Sequence, residues 1–293
     1  MRTALAIDIG GTKLAVGVVD EAGRVLTRHD QPTEGHSSAE HLFDSLGGLV
    51  EQVRAAVDAR PVVCGVGCGG PMAGGGGAVS PLNIPVWRDF PLRSRLAERT
   101  QLPTWVDNDA KALALAEGWL GAAAGQPDFI AMVVSTGVGG GVVSDGRLVD
   151  GSDGNAGHIG HMVVEPDGRP CVCGGRGCLE AEASGTAIRA ITGRDPREAG
   201  PEVVARTGRL VGRAVASVAN LLDVPLACVA GSVALGYGEP FFRAAQEELS
   251  ARARLSFSRD ARIVPAGLGK DGPVIGAAAV AFRNLEDGPT GIR

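Results

Sequence analysis

At 293 residues the chain is long for one compact core and suits two domains of ordinary size, with the cleft that two domains imply. Hydrophobic residues make up 44 % and charged residues 21 %, a globular composition, and no run of about 18 apolar residues exists to span a bilayer. The formal net charge of −5 argues against a sequence-independent nucleic-acid surface, which needs clustered Lys and Arg, and favours a small-molecule substrate.

The chain opens with strand, glycine turn and strand: Thr3 to Ile9 is apolar, Gly10-Gly11 turns, and Leu14 to Val19 is apolar again. The same opening, MRTALAIDIG, reaches an Asp and paired glycines too soon for a secretory leader, so a cytoplasmic location is expected. A third strand at Arg24 to Arg28 precedes a helix over Ser38 to Ala59, with Leu42, Leu46, Leu49, Val53 and Val57 along one side, and then a buried strand from Val62 to Gly67. After the glycine loop 74–77 come a helix at Pro91 to Thr100, a strand at Pro103 to Val106, the sequence DNDA, and a helix from Ala110 to about Leu120. Phe129 to Ser135, a glycine turn at 137–141 and Val142 to Ser144 restate the opening, so the chain reads as internally duplicated. A polar loop rich in His and Cys follows, then a helix from Glu202 to Leu222, a strand at Leu226 to Ala230, a helix at Glu239 to Ala253, a strand at Arg262 to Val264, and a last helix at Pro273 to Phe282 before a frayed tail, LEDGPTGIR. The expected division is a small domain of 1–108 plus 273–285 and a large domain of 109–272, with a metal loop at 157–180.

Several segments carry chemistry. Asp8-Ile9-Gly10-Gly11-Thr12-Lys13 places an acid at a strand end and two glycines in the next turn. Backbone N–H groups and the Thr12 hydroxyl there suit phosphate oxygens, and Asp8 suits Mg²⁺. Alone it equally reads as an ordinary hairpin, and it is not a Walker loop. The second copy, with Thr136, Gly137 and Gly139, occupies the equivalent turn, and a third glycine turn at Gly231 follows another strand. Asp107-Asn108-Asp109-Ala110 lies between a strand and a helix, where it caps the helix or provides a carboxylate to take a proton from a bound hydroxyl. His161, Cys171, Cys173 and Cys178, spaced His-x₉-Cys-x-Cys-x₄-Cys, supply three thiolates and one imidazole, a closed tetrahedral shell of the kind structural zinc takes. The other cysteines, Cys64, Cys68 and Cys228, lie in apolar strand-like runs, and no disulfide is expected. Zinc would brace a loop carrying His158 and Glu180, which together suit sugar hydroxyls. With the phosphate turns elsewhere in sequence, loss of this metal is expected to weaken sugar binding more than nucleotide binding.

DIGGTK at 8–13, DNDA at 107–110, STGVGGG at 135–141, GHIGH at 157–161, CVCGGRGCLE at 171–180 and AGSV at 230–233 together resemble the ROK family of sugar kinases and repressors, over nearly the whole chain. The resemblance implies an α/β, two-domain actin/hexokinase-like (ribonuclease-H-like) fold with a cleft between duplicated domains. It also implies Asp109 as catalytic base, Asn108, His161 and Glu180 as sugar contacts with His161 doubling as a zinc ligand, and Asp8 to Lys13 and Thr136 to Gly140 as ATP-phosphate segments. Mg²⁺ is expected with ATP, and members are commonly dimers or tetramers. Two positions depart from the pattern: His158 stands where many family glucokinases carry Glu, and Lys111 where the family often has Asn. GHIGH, STGVGGGVVS and GCLEAEASG are similar to bacterial N-acetylmannosamine kinases, which favours an N-acylated hexosamine over glucose as the phosphate acceptor. Glucokinase is the alternative, and polyphosphate remains open as the donor. Family repressors carry a DNA-binding module ahead of the first strand. A strand starting at Thr3 and an acidic charge point away from that reading and leave a non-catalytic sugar-responsive regulator as the remote one.

Overall fold

The computed structural model describes residues 1–33, 35 and 37–285. It divides into two compact units, 1–125 with 147–156 and 268–293, and 126–146 with 157–267. In the first, β1 (Thr3–Ile9), β2 (Lys13–Asp20), β3 (Val25–Pro32), β4 (Val63–Cys68) and β7 (Thr104–Asn108) form one sheet in the order β3-β2-β1-β4-β7. β1, β2 and β3 pair antiparallel, whereas β1, β4 and β7 run parallel. Their near-continuous apolar sequences follow from burial on both faces, as parallel strands require. Helix α1 (Ala39–Ala55) covers one face with Leu42, Leu46, Leu49 and Val53, and starts where the Ser38 hydroxyl accepts from the His41 amide, a cap worth about 1 kcal/mol. A two-strand ribbon, β5 (Met72–Ala73) and β6 (Ala78–Val79), and helix α2 (Leu92–Thr100) lie between β4 and β7 in sequence.

Helix α3 (Asp109–Trp119) packs with α9 (Gly272–Arg283), and α9 lies directly on β4 and β1. That contact is close because Gly65 has no Cβ to strike the Ala277 carbonyl and α9 is a run of alanines. The first unit therefore keeps α3, and the division expected at 108/109 falls at 125/126 instead. Amphipathic spacing along α3 could not show this, because all of Ala110 to Glu117 is buried. Residues 268–272 also belong with α9 rather than with the second unit. Most of the tail expected to fray, 286–293, lies outside the described residues.

In the second unit, β8 (Phe129–Val134) and β9 (Val138–Ser144) pair antiparallel, while β8, β11 (Leu226–Ala230) and β12 (Arg262–Pro265) run parallel. A two-residue strand, β10 (Arg147–Leu148), follows β9 in sequence. The order β9-β8-β11-β12 repeats β2-β1-β4-β7, which is the duplication that the two glycine turns announce. Helices α4 (Leu179–Ala183), α5 (Gly185–Thr192), α6 (Pro201–Leu222), α7 (Ser232–Tyr237) and α8 (Glu239–Arg252) complete it, with α6 packed along α8 over a core that includes Met132, Val211, Val215 and Phe241. The short α4, α5 and α7 give too few turns for a helical period to register in sequence. Among the described residues no helix is long and apolar enough to cross a membrane.

Candidate functional site

In the first unit the sheet register sets the chemistry. Asp8 of β1 lies opposite Gly67 of β4, and Gly67 opposite Asp107 of β7, so the C-terminal ends of three parallel strands finish side by side, two of them bearing a carboxylate. Parallel strands that end together, with a helix starting from one of them, form a common place for ligands in α/β proteins. A Cβ on Gly67 would sit 3.5 Å from Asp8 Oδ1 and 3.5 Å from the Cα of Asp109, so the missing side chain leaves Asp8 and Asp109 facing a shared space. Burial, followed by the negative charge of Asp109, pushes the Asp8 carboxyl up to about 7. Burial also raises Asp109, against the opposing hydrogen bond from the Ala110 amide, 2.8 Å from its Oδ1. Asn108 caps α3, its Oδ1 accepting from the Ala110 and Lys111 amides at 3.0 and 3.4 Å. Asn108 and Asp109 of DNDA thus divide: Asn108 is the cap, and Asp109 is a half-buried carboxylate at the start of the helix.

The turn after Asp8 is held from both sides. Gly10 N–H donates to the Lys13 carbonyl (3.0 Å), and the Thr33 hydroxyl donates to the Gly10 carbonyl (2.7 Å). Gly11 passes so near Asn83 that its Cβ would lie 2.6 Å from the Asn83 Cβ. Thr12 and Lys13 are exposed, and the Lys13 amine pairs with Asp30 at 3.2 Å, a carboxylate that Arg28 also grips.

The Asp8 pKa makes a directional prediction for the magnesium-free protein. The folded state holds a proton on Asp8 up to about pH 7, whereas the unfolded chain releases it near the ordinary 3.8, so stability falls as pH rises between those values. Asp8→Asn removes this penalty. At pH 8 the variant's Tm should exceed the parent's by a few degrees in thermal melts, with the advantage vanishing near pH 4, while its phosphoryl transfer falls by about 10²-fold or more.

In the second unit the expected glycine turn at 137–141 is shorter: Ser135 to Gly137 make the turn, and Val138, Gly139, Gly140 and Gly141 already belong to β9. Gly140 answers to packing, since a Cβ there would meet Ile159 at 2.8 Å and the Gly157 carbonyl at 3.2 Å where the GHIGH loop crosses β9. Ser135 N–H closes the turn on the Gly137 carbonyl (2.9 Å), leaving Thr136 exposed. Gly231 takes φ 101° and lies against the Val134 carbonyl, and the Ser135 and Ser232 hydroxyls are 3.0 Å apart. Fold geometry thus joins the turns at Thr136 and Gly231, a pairing sequence could signal only through a Ser in each.

The metal cluster fits its residues. The ligand atoms of His161, Cys171, Cys173 and Cys178 all lie within 4.8 Å of one another, with Cys173 Sγ to Cys178 Sγ at 3.7 Å and Cys171 Sγ to His161 Nδ1 at 3.6 Å. A tetrahedral zinc with Zn–S bonds of about 2.3 Å puts sulfurs about 3.8 Å apart, so the donors match that shell. Backbone bonds frame the loop: Val164 N–H to the Gly177 carbonyl, Cys171 N–H to the Gly175 carbonyl and Leu179 N–H to the Met162 carbonyl, each 2.9 Å. Glu182, buried on α4, accepts from the Arg169 amide at 2.6 Å and pairs with Arg206 of α6.

Glu180, one turn-residue beyond the last cysteine ligand's neighbour, has a partner that sequence did not suggest. Its Oε2 accepts from the Val138 amide at 2.8 Å, while the Gly185 amide and the Thr186 hydroxyl donate to the Ser135 and Thr136 carbonyls at 2.7 and 2.9 Å. The metal loop and the phosphate-type turn are therefore one hydrogen-bonded assembly. His158 is exposed, with its ring centroid 6.0 Å from that of His161. It borders a cavity of about 210 Å³ whose other lining is apolar or glycine, including Ile130, Val142, Met162, Val218 and Leu222. Ile130 is five residues down β8 from Ser135, about 16 Å along the strand, so this cavity is not where Glu180 and Thr136 meet.

A model of the ROK family matches residues 4–284. The N-acetylmannosamine kinase of Escherichia fergusonii is 36 % identical over 295 residues, covering 95 % of this chain and 98 % of that protein. Among solved structures, a ROK hexokinase from Thermus thermophilus superposes with a TM-score of 0.85 at 35 % identity, covering 98 % of this chain and all (100 %) of that one. A ROK family glucokinase from Streptomyces griseus, in complex with glucose and AMPPNP, gives a TM-score of 0.84 at 30 % identity, covering 95 % and 99 %. The fold expected from sequence, duplicated α/β domains of the actin/hexokinase kind, is the fold these chains share.

Proposed function

The chain belongs to the ROK family and is a sugar kinase, and from that premise we propose that it transfers the γ-phosphoryl group of ATP to the 6-hydroxyl of an N-acylated hexosamine, N-acetylmannosamine. The observation that carries the mechanism is the placement of Asp109 at the strand-to-helix junction beside Asp8 across Gly67, where desolvation raises its carboxyl. As the sugar oxygen attacks the γ-phosphorus, Asp109 takes its proton, the new O–P bond forms, and the bond to the bridging oxygen breaks to release ADP. Desolvation raises the Asp109 carboxyl and strengthens it as a base, while the hydrogen bond from the Ala110 amide opposes that rise. Mg²⁺ bound with ATP would neutralise phosphate charge, and Asp8 is this chain's carboxylate for it. The Gly10 to Lys13 and Thr136 to Gly139 segments, with Gly231, would hold the nucleotide's phosphates and nucleoside end.

We assign zinc to the His161, Cys171, Cys173 and Cys178 cluster, on the soft donor set and its spacing. With its Nδ1 facing the Cys171 sulfur, His161 would hold the metal through Nδ1 and present Nε2–H as a donor to a sugar hydroxyl. By the family resemblance Asn108 Nδ2 and the Glu180 carboxylate would meet other hydroxyls, and His158 is the candidate for the N-acyl group only through its ring contact with His161, 6.0 Å between centroids. The preference for N-acetylmannosamine rests on the 36 % identity to a kinase named for that sugar. Glucose is the second reading, favoured by the similarity to a glucokinase seen with glucose. A coupled ADP assay over glucose, mannose, N-acetylglucosamine and N-acetylmannosamine tests it. The expected result is a kcat/KM highest for N-acetylmannosamine by about tenfold or more, and a clear preference for glucose would restore the glucokinase reading.

A further inference from the structure

Lys111 lies in the first turn of α3 and by sequence looks like an ordinary first-turn residue. In the structure its side chain is only 2 % exposed and its ammonium has three acceptors, one for each proton: Asp107 Oδ1 at 2.9 Å, Asp150 Oδ1 at 2.7 Å and the Gly154 carbonyl at 3.1 Å. Arg283 of α9 completes the cluster, gripping Asp150 at 2.7 and 3.4 Å and approaching Asp107 at 3.8 Å. Two carboxylates meet two cations, so the charges balance. Burial alone would raise Asp150, but the hydrogen bonds from Arg283 and Lys111 outweigh it and hold the carboxyl below its usual range. Burial raises Asp107 despite the nearby Lys111 charge.

What the cluster connects is informative. Asp107 Oδ1 also accepts from the Asn108 amide at 2.8 Å, so the lysine grips the residue that fixes the start of the Asn108-Asp109 turn. Asp150 and Gly154 belong to a loop whose next residue, Asn155, clasps the backbone of Met72, accepting from its amide at 3.3 Å and donating to its carbonyl at 3.1 Å. A buried ion pair adds little net stability over an apolar pair of the same shape, because desolvation offsets the attraction. Its distinctive contribution is directional: three fixed bonds from one point charge.

We propose that Lys111 is a positioning residue for the phosphoryl-transfer step, locking the Asp107–Asp109 turn to the 150–155 loop so that the Asp109 carboxylate keeps its aim. This rests on the reading of Asp109 as the base. Lys111→Met deletes the three bonds at similar volume, and Asp150→Asn weakens the same link at a carboxylate 47 % exposed, where folding is less at risk. Lys111→Met should lower kcat by about tenfold to a hundredfold, as small misplacements of a catalytic group do, with ATP KM within about twofold because the Gly10 to Lys13 turn has no bond to the cluster. Asp150→Asn should lower kcat in the same sense, and the double variant should be no worse than Lys111→Met alone, because both remove one linkage. In hydrogen exchange without substrates, amides 107–110 and 150–156 should exchange faster in Lys111→Met than in the parent, and those of β1 and β2 should not.

Folded Lys111→Met with kcat within twofold of the parent, or two single effects that multiply in the double variant, overturns the proposal. If Lys111→Met does not accumulate as folded protein, Asp150→Asn decides alone, and parental kcat in it overturns the proposal. A parent inactive on every sugar of the panel defeats the kinase reading instead, a result separate from the variant-to-parent ratio and from the exchange data.

Discussion

Asp109→Asn is expected to fold, bind sugar and nucleotide with dissociation constants within a few-fold of the parent, and lose about 10³-fold in kcat, within the usual range for removing a general base. The amide is nearly isosteric, so its oxygen can still accept from the Ala110 amide, and the Asn108 cap is untouched. What disappears is the capacity to take a proton. A second consequence separates base loss from disturbance of the fold: the negative charge of Asp109 contributes to raising Asp8, so in the variant the Asp8 pKa drops below about 7. Magnesium-free Asp109→Asn should therefore lose less stability than the parent between pH 4 and 7, measured by thermal melts across pH. Near-parental turnover would remove Asp109 from the mechanism. An unchanged pH dependence of stability would mean that the two carboxylates do not sense each other.

Cys173→Ser is expected to lose about one equivalent of metal per chain by elemental analysis, because one ligand of a closed four-ligand shell is gone and serine is a poor match for the softer metals. Order in the loop then depends on its remaining hydrogen bonds, among them the backbone bonds at Val164, Cys171 and Leu179 and the Glu182 bond to the Arg169 amide. Sequence position suggests that sugar binding suffers more than nucleotide binding. The structure revises that expectation. Glu180 accepts from Val138, and the Gly185 and Thr186 donors hold the Ser135 and Thr136 carbonyls, so loosening the loop loosens the phosphate-type turn with it. Separate titrations of the variant should show sugar and nucleotide dissociation constants both raised about tenfold or more, comparable with loss of groups that support a metal site. Glu180→Gln, which keeps the cluster but weakens the bond to Val138, should retain the metal and still weaken nucleotide binding. Loss of metal with normal binding of both ligands would reduce the cluster to an ornament of the surface.

What sequence made legible and what it did not divides along a physical line. The hairpin strands, the long helices α1, α6 and α8, and the internal duplication all declare themselves in apolar period and paired glycine turns, because burial of a strand or helix face writes a local pattern. The cluster at His161, Cys171, Cys173 and Cys178 was legible for the same reason: its ligands lie within one short loop, and thiols grouped in a polar loop have no packing purpose. Asp109 was visible as a carboxylate at a strand-to-helix junction, but its separation in role from Asn108 depended on which side chain reached the free amides of the helix start.

Only the tertiary structure could decide the rest. Three parallel strands in register put Asp8 beside Gly67 and Asp109, residues up to 101 positions apart in the chain, and set one carboxyl to about 7. Packing on α9 kept α3 in the first unit, and the crossing of the GHIGH loop leaves no room for a side chain at Gly140. Lys111 is the plainest case. A lysine in the first turn of a helix is solvent-facing by default, and its burial follows from Asp150 and Arg283, which no local pattern relates to it. A buried charge is defined by its partners, and partners distant in sequence are supplied by the fold.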